Sequence, residues 1–242
     1  AEDVATVQVL ENHEHVKALQ DQVPPESAAI NLKLKEKAKG LWTTSADLGL
    51  GYDDALLWDN SINVMYFGKR RQHVLFYGNE NTGSTSDITA QHYGGSGLGA
   101  SVLTEIMSAG SSPIGNSLRN NRHTVNLNNL SKLSDTKQLH YNLSYKYDLH
   151  RRSSYSQTTY ILPEADVRIM SEDISERHNL NDAHVELEYE DNADKHFLSN
   201  KLELAGQWMD GHGTVASNDS HIDQQSDNRN LGLQNRTRWA HR

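Results

Sequence analysis

Strict alternation of apolar and polar residues predicts a β-strand at LHYNLSYKYDL, residues 139–149. Successive side chains of a strand point to opposite sides, so this segment has one wholly apolar face and one wholly polar face. The apolar face comprises Leu139, Tyr141, Leu143, Tyr145, Tyr147 and Leu149. The polar face comprises His140, Asn142, Ser144, Lys146 and Asp148. Two environments fit such a strand: a soluble β-sandwich with its core under the apolar face, or an outer-membrane β-barrel with lipid there and water behind the polar face.

Alternation of the same kind recurs from residue 41 onward. The predicted strands are residues 44–52, 58–66, 72–77, 123–129, 139–149, 153–162, 167–181, 184–191, 197–209 and 230–242. Within residues 184–191 the apolar positions are Val185, Leu187 and Tyr189, and they alternate with Glu186, Glu188 and Glu190. About ten strands of roughly 9 to 14 residues result, which is longer than the ~5–6 residues usual in globular proteins and enough for a tilted membrane strand.

The first 40 residues have a different texture. VATVQVL, residues 4–10, predicts a short strand, and HEHVKALQ at 13–20 predicts about two helical turns. AINLKLKEKAKG, which begins at residue 29, predicts a second strand that runs into a basic stretch closed by Gly40. A β, helix, β unit of this size is too small to be stable alone, so it must pack on another part of the molecule.

The predicted connections are short at some positions and long at others. Residues 53–54, 131–136 and 192–195 read as short turns, whereas residues 79–120 and 210–228 are polar and rich in Gly, Ser, Asn or Asp, which predicts long loops. Short turns combined with long loops are typical of outer-membrane β-barrels, whose periplasmic turns are short and whose outer loops are long.

Composition narrows the possible function classes. The 242-residue chain has a formal net charge of -9, which disfavours a nucleic-acid partner because acidic groups repel phosphate. It contains no cysteine, which excludes disulfides, thiolate metal ligands and thiol nucleophiles. No window reaches the ~18 to 20 apolar residues of a membrane helix. Ten Tyr and four Trp against three Phe favour wet interfaces over a dry core.

The chain carries no signature of catalysis. No nucleophile elbow, zinc-binding helix motif or paired-acid pattern is present, so an enzyme is not expected, and neither a cofactor nor a metal site is predicted. The glycine-rich run at residues 94–99 does not follow a strand directly, which makes it a loop and not a phosphate-binding turn. The carboxylate-rich strand faces are better interpreted as the wall of a water-filled lumen.

Several segments taken together resemble one family. DVATVQVLENHEHVKAL with AAINLKLKEKAKG is similar to the end of the plug domain in TonB-dependent receptor-like outer-membrane proteins of Bacteroidetes. LGLGYDDALLWDNSINVMYFGKRRQHVLFYGNENTG, NNRHTVNLNNLSKLSDTKQLHYNLSYKYDLHRRSSYSQTTYILP and NDAHVELEYEDNADKHFLSNKLEL resemble the beginning of its barrel. The resemblance implies an all-β antiparallel transmembrane barrel of about 22 strands around a small α/β plug.

On this resemblance, residues 1–40 are the C-terminal part of the plug and residues 41–242 the N-terminal part of the barrel. We therefore expect the residues to belong to a longer chain, because an open half-barrel leaves two unpaired edges that lipid does not tolerate. The candidate lumen-facing residues are His140, Asn142, Ser144, Lys146, Asp148, Glu186 and Glu188. The candidate lipid-facing residues are Leu139, Tyr141, Leu143, Tyr145, Tyr147, Leu149, Val185, Leu187 and Tyr189.

The resemblance further implies a receptor or transporter of the bacterial outer membrane, which captures a solute at the cell surface and passes it through the plugged barrel. Its expected partners are the TonB complex, outer-membrane lipid and a surface lipoprotein. Two alternatives remain open: a non-transporting barrel for surface interaction or assembly with a lipoprotein, and a soluble all-β binding module.

Overall fold

The structure, a computed structural model, describes residues 4–10, 16–19, 29–34, 40–83, 118–161, 167–218 and 220–242. These residues form two antiparallel sheets, one of two strands and one of eight. Among them, no helix has the length and apolar character needed to cross a bilayer.

The small sheet pairs β1 (Val4–Leu10) with β2 (Ala29–Leu34), with Val7 opposite Leu32. Both strands agree with the prediction. The described part of the predicted helix is a single 3-10 turn, Lys17–Leu19, and the remainder of residues 13–20 lies largely outside the described residues. The Lys17 backbone N–H donates to Asn192 Oδ1 at 3.0 Å, and Ala18 is buried, so this turn packs on the end of the large sheet.

The large sheet is a meander in which every strand pairs with its neighbours in sequence. Its strands are β3 (Trp42–Asp53), β4 (Ala55–Phe67), β5 (Arg71–Glu80), β6 (Leu118–Lys132), β7 (Lys137–Ile161), β8 (Val167–Asn192), β9 (His196–Ser217) and β10 (Ser220–His241). The sheet is open, with β3 and β10 at its two edges.

The all-β prediction is confirmed, but the predicted strand count was wrong. Ten strands were expected after residue 40, and the described residues form eight. Strand β7 joins the segments predicted at 139–149 and 153–162, and β8 joins those at 167–181 and 184–191. Where these segments meet, both faces of the strand are polar, so the hydrophobic alternation ends although backbone pairing continues, for example between His150 and His178.

The predicted long loop at residues 210–228 was also wrong. These residues continue β9 and begin β10, paired in register up to Ser217 and Ser220. Asn218, with a φ of 47°, lies in the turn between the two strands. Asn is one of the few side chains that tolerate this left-handed conformation, which explains how a tight turn forms here without glycine. The other predicted loop connects β5 to β6, and residues 84–117 of it lie outside the described residues.

Burial in the large sheet is reversed relative to a soluble domain. Among the described residues, four hydrophobic side chains are buried, against seventeen polar or charged ones. On the inner strands Val125, Leu143 and Val185 are 37–39% exposed, whereas their sequence neighbours Asn126, Asn142 and Glu186 are 2–3% exposed. Polar side chains therefore form the covered face of this sheet, and apolar side chains form the open face.

Candidate functional site

The strand registers place the two sets of predicted residues on opposite faces of the sheet. His140 lies opposite Glu188, and Asn142 opposite Glu186. Leu143 lies opposite Val185, with the other predicted apolar residues of β7 and β8 on the same side. We name the two surfaces the polar face and the apolar face. The polar face consists of the even-numbered residues of β5 to β8 and β10 and the odd-numbered residues of β3, β4 and β9, since side chains alternate along each strand.

A buried ionic cluster around Arg122 occupies the polar face of β5, β6 and β7. Arg122 donates from Nε to Asp148 Oδ2 at 2.7 Å, and its Nη1 lies 3.4 Å from Glu80 Oε1. Asn120 Nδ2 donates to the same oxygen of Glu80 at 2.5 Å, and His150 Nε2 lies 2.7 Å from Asp148 Oδ2. One guanidinium thus balances two carboxylates that are almost fully removed from solvent.

A second ionic cluster centres on Lys201 of β9. The Lys201 ammonium lies 2.7 Å from Glu203 Oε1 and 3.1 Å from Glu186 Oε2. The other oxygen of Glu186 faces His140 Nδ1 at 3.8 Å. Glu188 accepts a hydrogen bond from Ser199 Oγ at 3.3 Å. This cluster therefore brings an imidazole and several carboxylates from three strands to one place.

A chain of three amides lies between the two clusters. Asn142 Nδ2 donates to Asn128 Oδ1, and Asn128 Nδ2 donates to Asn126 Oδ1. All three side chains are buried on the polar face. Ser144 and Lys146 continue the same row, opposite Asn126 and Thr124. The polar face therefore carries hydrogen-bonding groups and charges on each strand from β5 to β9, with apolar side chains such as Phe76 and Phe197 among them.

The apolar face carries aliphatic rows that cross the whole sheet. One register row consists of Thr44, Val64, Leu75, Leu127, Leu143, Val185, Leu204 and Leu233. Strands at both edges expose such residues strongly: Leu48 and Leu50 on β3, and Leu231 and Leu233 on β10, are 69–85% exposed. Within the described residues, no second layer covers these side chains.

Aromatic residues border these aliphatic rows on two sides. The first aromatic row consists of Trp42, Tyr66, Tyr141, Tyr189 and Trp239, and the second of Tyr52, Trp58, Tyr77, Tyr147 and Trp208. All four Trp of the chain belong to these rows. On β3 the span from Trp42 to Tyr52 is about 33 Å along the strand, or about 25 Å in height for a strand tilted by ~40°.

Strands β7 to β10 continue beyond the second aromatic row. Residues 150–161 of β7 pair with residues 167–178 of β8, and residues 210–217 of β9 pair with residues 220–227 of β10. Polar side chains predominate on both sides of these extensions. Glu176 forms an ion pair there with Arg152 at 3.7 Å, and His178 Nε2 lies 3.6 Å from its other carboxylate oxygen. Such a surface is suited to water on both sides.

Sequence reasoning missed several members of the polar face. Arg122, Glu80, Lys201 and Glu203 were not predicted as site residues, although Arg122 and Lys201 each make an ionic contact of 2.7 Å there. Alternation on β9 would have assigned Lys201 and Glu203 to the polar side. The partners of these residues follow only from the registers, which join positions distant in sequence, such as Glu80 and Arg122.

Comparison with protein families, with curated proteins and with solved structures finds no match for this chain. The family resemblance therefore rests on the sequence segments alone.

Proposed function

We propose that the eight-stranded sheet is part of the wall of an outer-membrane β-barrel, with its apolar face in lipid and its polar face toward the lumen. The observation that carries this proposal is the reversed burial of the sheet, in which Asn142 and Glu186 are covered while Leu143 and Val185 are open. Water-soluble sheets bury their apolar face, because removing apolar area from water is favourable.

The dimensions of the apolar face support the same placement. Barrels of the outer membrane carry an apolar band about 25 Å tall between two girdles of aromatic residues. The two aromatic rows enclose a band of about that height, estimated from strand rise and tilt. Tyr and Trp prefer the interface because one end of each ring is apolar and the other forms hydrogen bonds.

The open edges set a condition on this proposal. Among the residues that the structure describes, strands β3 and β10 each have one side without a strand partner. Unpaired backbone groups cost several kcal/mol each in hydrocarbon. The barrel must therefore be completed by further strands that pair with both edges.

Within such a barrel, we propose solute uptake energised through TonB, with residues 1–40 as the end of a plug. The sequence resemblance supplies this part of the proposal. Two features are compatible with it. The Lys17–Leu19 turn packs at the end of the sheet whose connections are residues 68–70, 133–136 and 193–195, opposite the end that holds the 81–117 connection. The polar face also carries many hydrogen-bonding groups. Short turns face the periplasm in such barrels, which is the side from which TonB acts.

The extensions of β7 to β10 favour a second candidate function. They continue for about 8 to 12 residues past the second aromatic row, or ~26–40 Å of strand, and polar residues predominate on both sides. On a membrane barrel this surface would stand outside the bilayer, where it would be accessible to a partner. A barrel that serves surface interaction or assembly with a lipoprotein would use it.

Tryptophan fluorescence tests the membrane placement. We expect all four Trp to be quenched by lipids brominated near the headgroup more strongly than by lipids brominated near the bilayer centre, because both aromatic rows lie at the borders of the apolar band. Uniformly weak quenching by both lipids, together with monodisperse behaviour in plain buffer, would support the soluble alternative.

Uptake measurements test the energised mechanism separately. Cells that express the protein should take up its solute only when TonB is present, because TonB would supply the force that rearranges the plug. Cells lacking TonB serve as the matched control. Uptake that persists in them would refute energised transport while leaving the barrel placement intact.

A further inference from the structure

We propose that His140, Glu186 and Glu188 form a binding site for a divalent metal ion of the Zn²⁺ type on the polar face. One ligand atom from each residue can be chosen so that all three lie within 4.8 Å of one another. His140 and Glu188 are direct partners across β7 and β8, and Glu186 lies two residues away on the same face. The inference does not depend on the membrane placement, because the registers alone bring the three side chains together.

The donor set decides the class of metal. One imidazole nitrogen and two carboxylate oxygens match three-ligand zinc sites that leave a further position for water. Ca²⁺ and Mg²⁺ prefer ligand sets made only of oxygen, so the imidazole disfavours them. Ligands bound at about 2.1 Å in tetrahedral geometry lie ~3.4 Å apart. The 3.8 Å between His140 Nδ1 and Glu186 Oε1 is slightly wider than this distance. Small side-chain rotations would close the wider separations.

Asn142 provides an independent indication that a cation belongs here. Its side chain is 2% exposed, and Oδ1 has no hydrogen-bond partner although Nδ2 donates to Asn128. Asn142 is the direct cross-strand partner of Glu186, so this buried carbonyl oxygen lies on the same face beside a carboxylate. A buried acceptor without a donor is costly. A metal ion, or a water bound to it, would satisfy that oxygen and the carboxylate together.

The charge of the surrounding cluster matches a dication. Glu186, Glu188 and Glu203 contribute three negative charges, and Lys201 contributes one positive charge, which leaves two negative charges when the histidine is neutral. Lys201 binds Oε2 of Glu186 and Oε1 of Glu203, whereas Oε1 of Glu186 faces His140. The ammonium therefore competes for Glu186 electrostatically but leaves the oxygen on the imidazole side accessible to a metal.

Calorimetric titration of the purified, tag-free protein with Zn²⁺ tests the site. We expect one Zn²⁺ site, and its affinity should fall about tenfold or more in His140→Gln and in Glu188→Gln. Even the mutation of a residue that only hydrogen-bonds to a metal ligand lowers metal affinity by about 10–100-fold. His178→Gln is the matched control, because this histidine lies on the polar face of β8 next to Glu176 and away from the cluster. Mg²⁺ and Ca²⁺ should bind more weakly than Zn²⁺.

The Lys201→Gln variant should change the Zn²⁺ affinity in the opposite direction to the ligand variants. Removing the competing ammonium should tighten Zn²⁺ binding several-fold, a gain that a misfolded variant would not show. Zn²⁺ affinity that is the same in the unmodified protein, His140→Gln and Lys201→Gln would overturn the inference, as would an equal loss in the His178→Gln control. Loss of membrane insertion would contradict the proposed function without affecting this titration.

Discussion

Arg122 is the residue on which the first ionic cluster depends. Its guanidinium lies between Asp148 and Glu80, both about 2% exposed. A buried ion pair adds little net stability compared with a hydrophobic pair, but removal of one partner leaves the other charge uncompensated. The effect of Arg122 on stability is therefore measured mainly by replacing it, because the two carboxylates then lose their counter-charge.

Arg122→Met should lower the free energy of unfolding by about 3–5 kcal/mol, because two buried carboxylates lose their counter-charge. Urea unfolding followed by tryptophan fluorescence measures this change. Arg151→Met is the matched control: Arg151 is exposed on the neighbouring strand, and its replacement should change stability by no more than about 0.5 kcal/mol. Equal effects of the two substitutions would mean that the cluster does not restrain the sheet.

At the scale of single residues, the sequence separated residues 139–149 and 185–189 into two opposite faces but did not predict which partners their side chains meet. Alternation alone separates His140 and Asn142 from Leu139 and Tyr141. The contact of His140 with Glu186 requires a register between strands that are distant in sequence, and one residue of slippage would remove it. The candidate metal cluster was missed for this reason.

At the scale of elements, the turns at one end of the sheet are tied together by Asp191 of β8. Its Oδ2 lies 3.2 Å from His196 Nε2 at the start of β9 and 3.7 Å from Lys137 Nζ at the start of β7. A hydrogen bond with Thr136, aided by His196 and by Lys137, lowers the pKa of Asp191 below its ordinary value of 3.8, against the opposing effect of burial. Asp191 lies beyond the first aromatic row and so outside the proposed membrane band.

A lowered pKa in the folded state means that Asp191 stabilises the fold at pH values above about 4, where the carboxylate is charged in both states. This stabilisation should decrease as the pH falls through the folded-state pKa. We expect Asp191→Asn to remove that part of the acid dependence, as measured by unfolding at pH 3 to 6. Asp194→Asn, in the exposed β8–β9 turn, is the control. An unchanged acid profile in Asp191→Asn would contradict the role of Asp191 in joining the turns.

Elements with a one-sided environment were predictable, and elements with the same environment on both sides were not. Strands β3 and β4 were predicted to within a few residues because their faces differ in polarity. Apart from Val215 and Ile222, residues 210–217 and 220–228 are polar or small on both faces, so no hydrophobic period marks them. Backbone pairing with β8 and between β9 and β10 determines their structure instead.

At the scale of the whole molecule, the large sheet divides into two zones along its strands. Between the aromatic rows, one face is apolar and open while the other is polar and covered. Beyond the second row, β7 to β10 are predominantly polar on both sides. On the proposed placement, a lipid bilayer covers the first zone and water the second, whereas a soluble sandwich would require a further apolar layer over Leu143 and its row.

Paired spin labels at adjacent residues test this account most directly. The chain contains no cysteine, so Leu143→Cys and Ser144→Cys each provide a unique labelling position on opposite faces of β7. In lipid vesicles, the label at position 143 should be relaxed strongly by dissolved oxygen, which concentrates in lipid, and the label at position 144 by a water-soluble nickel chelate. The opposite pattern, or equal access of the chelate to both positions, would contradict the placement of the apolar face in the membrane.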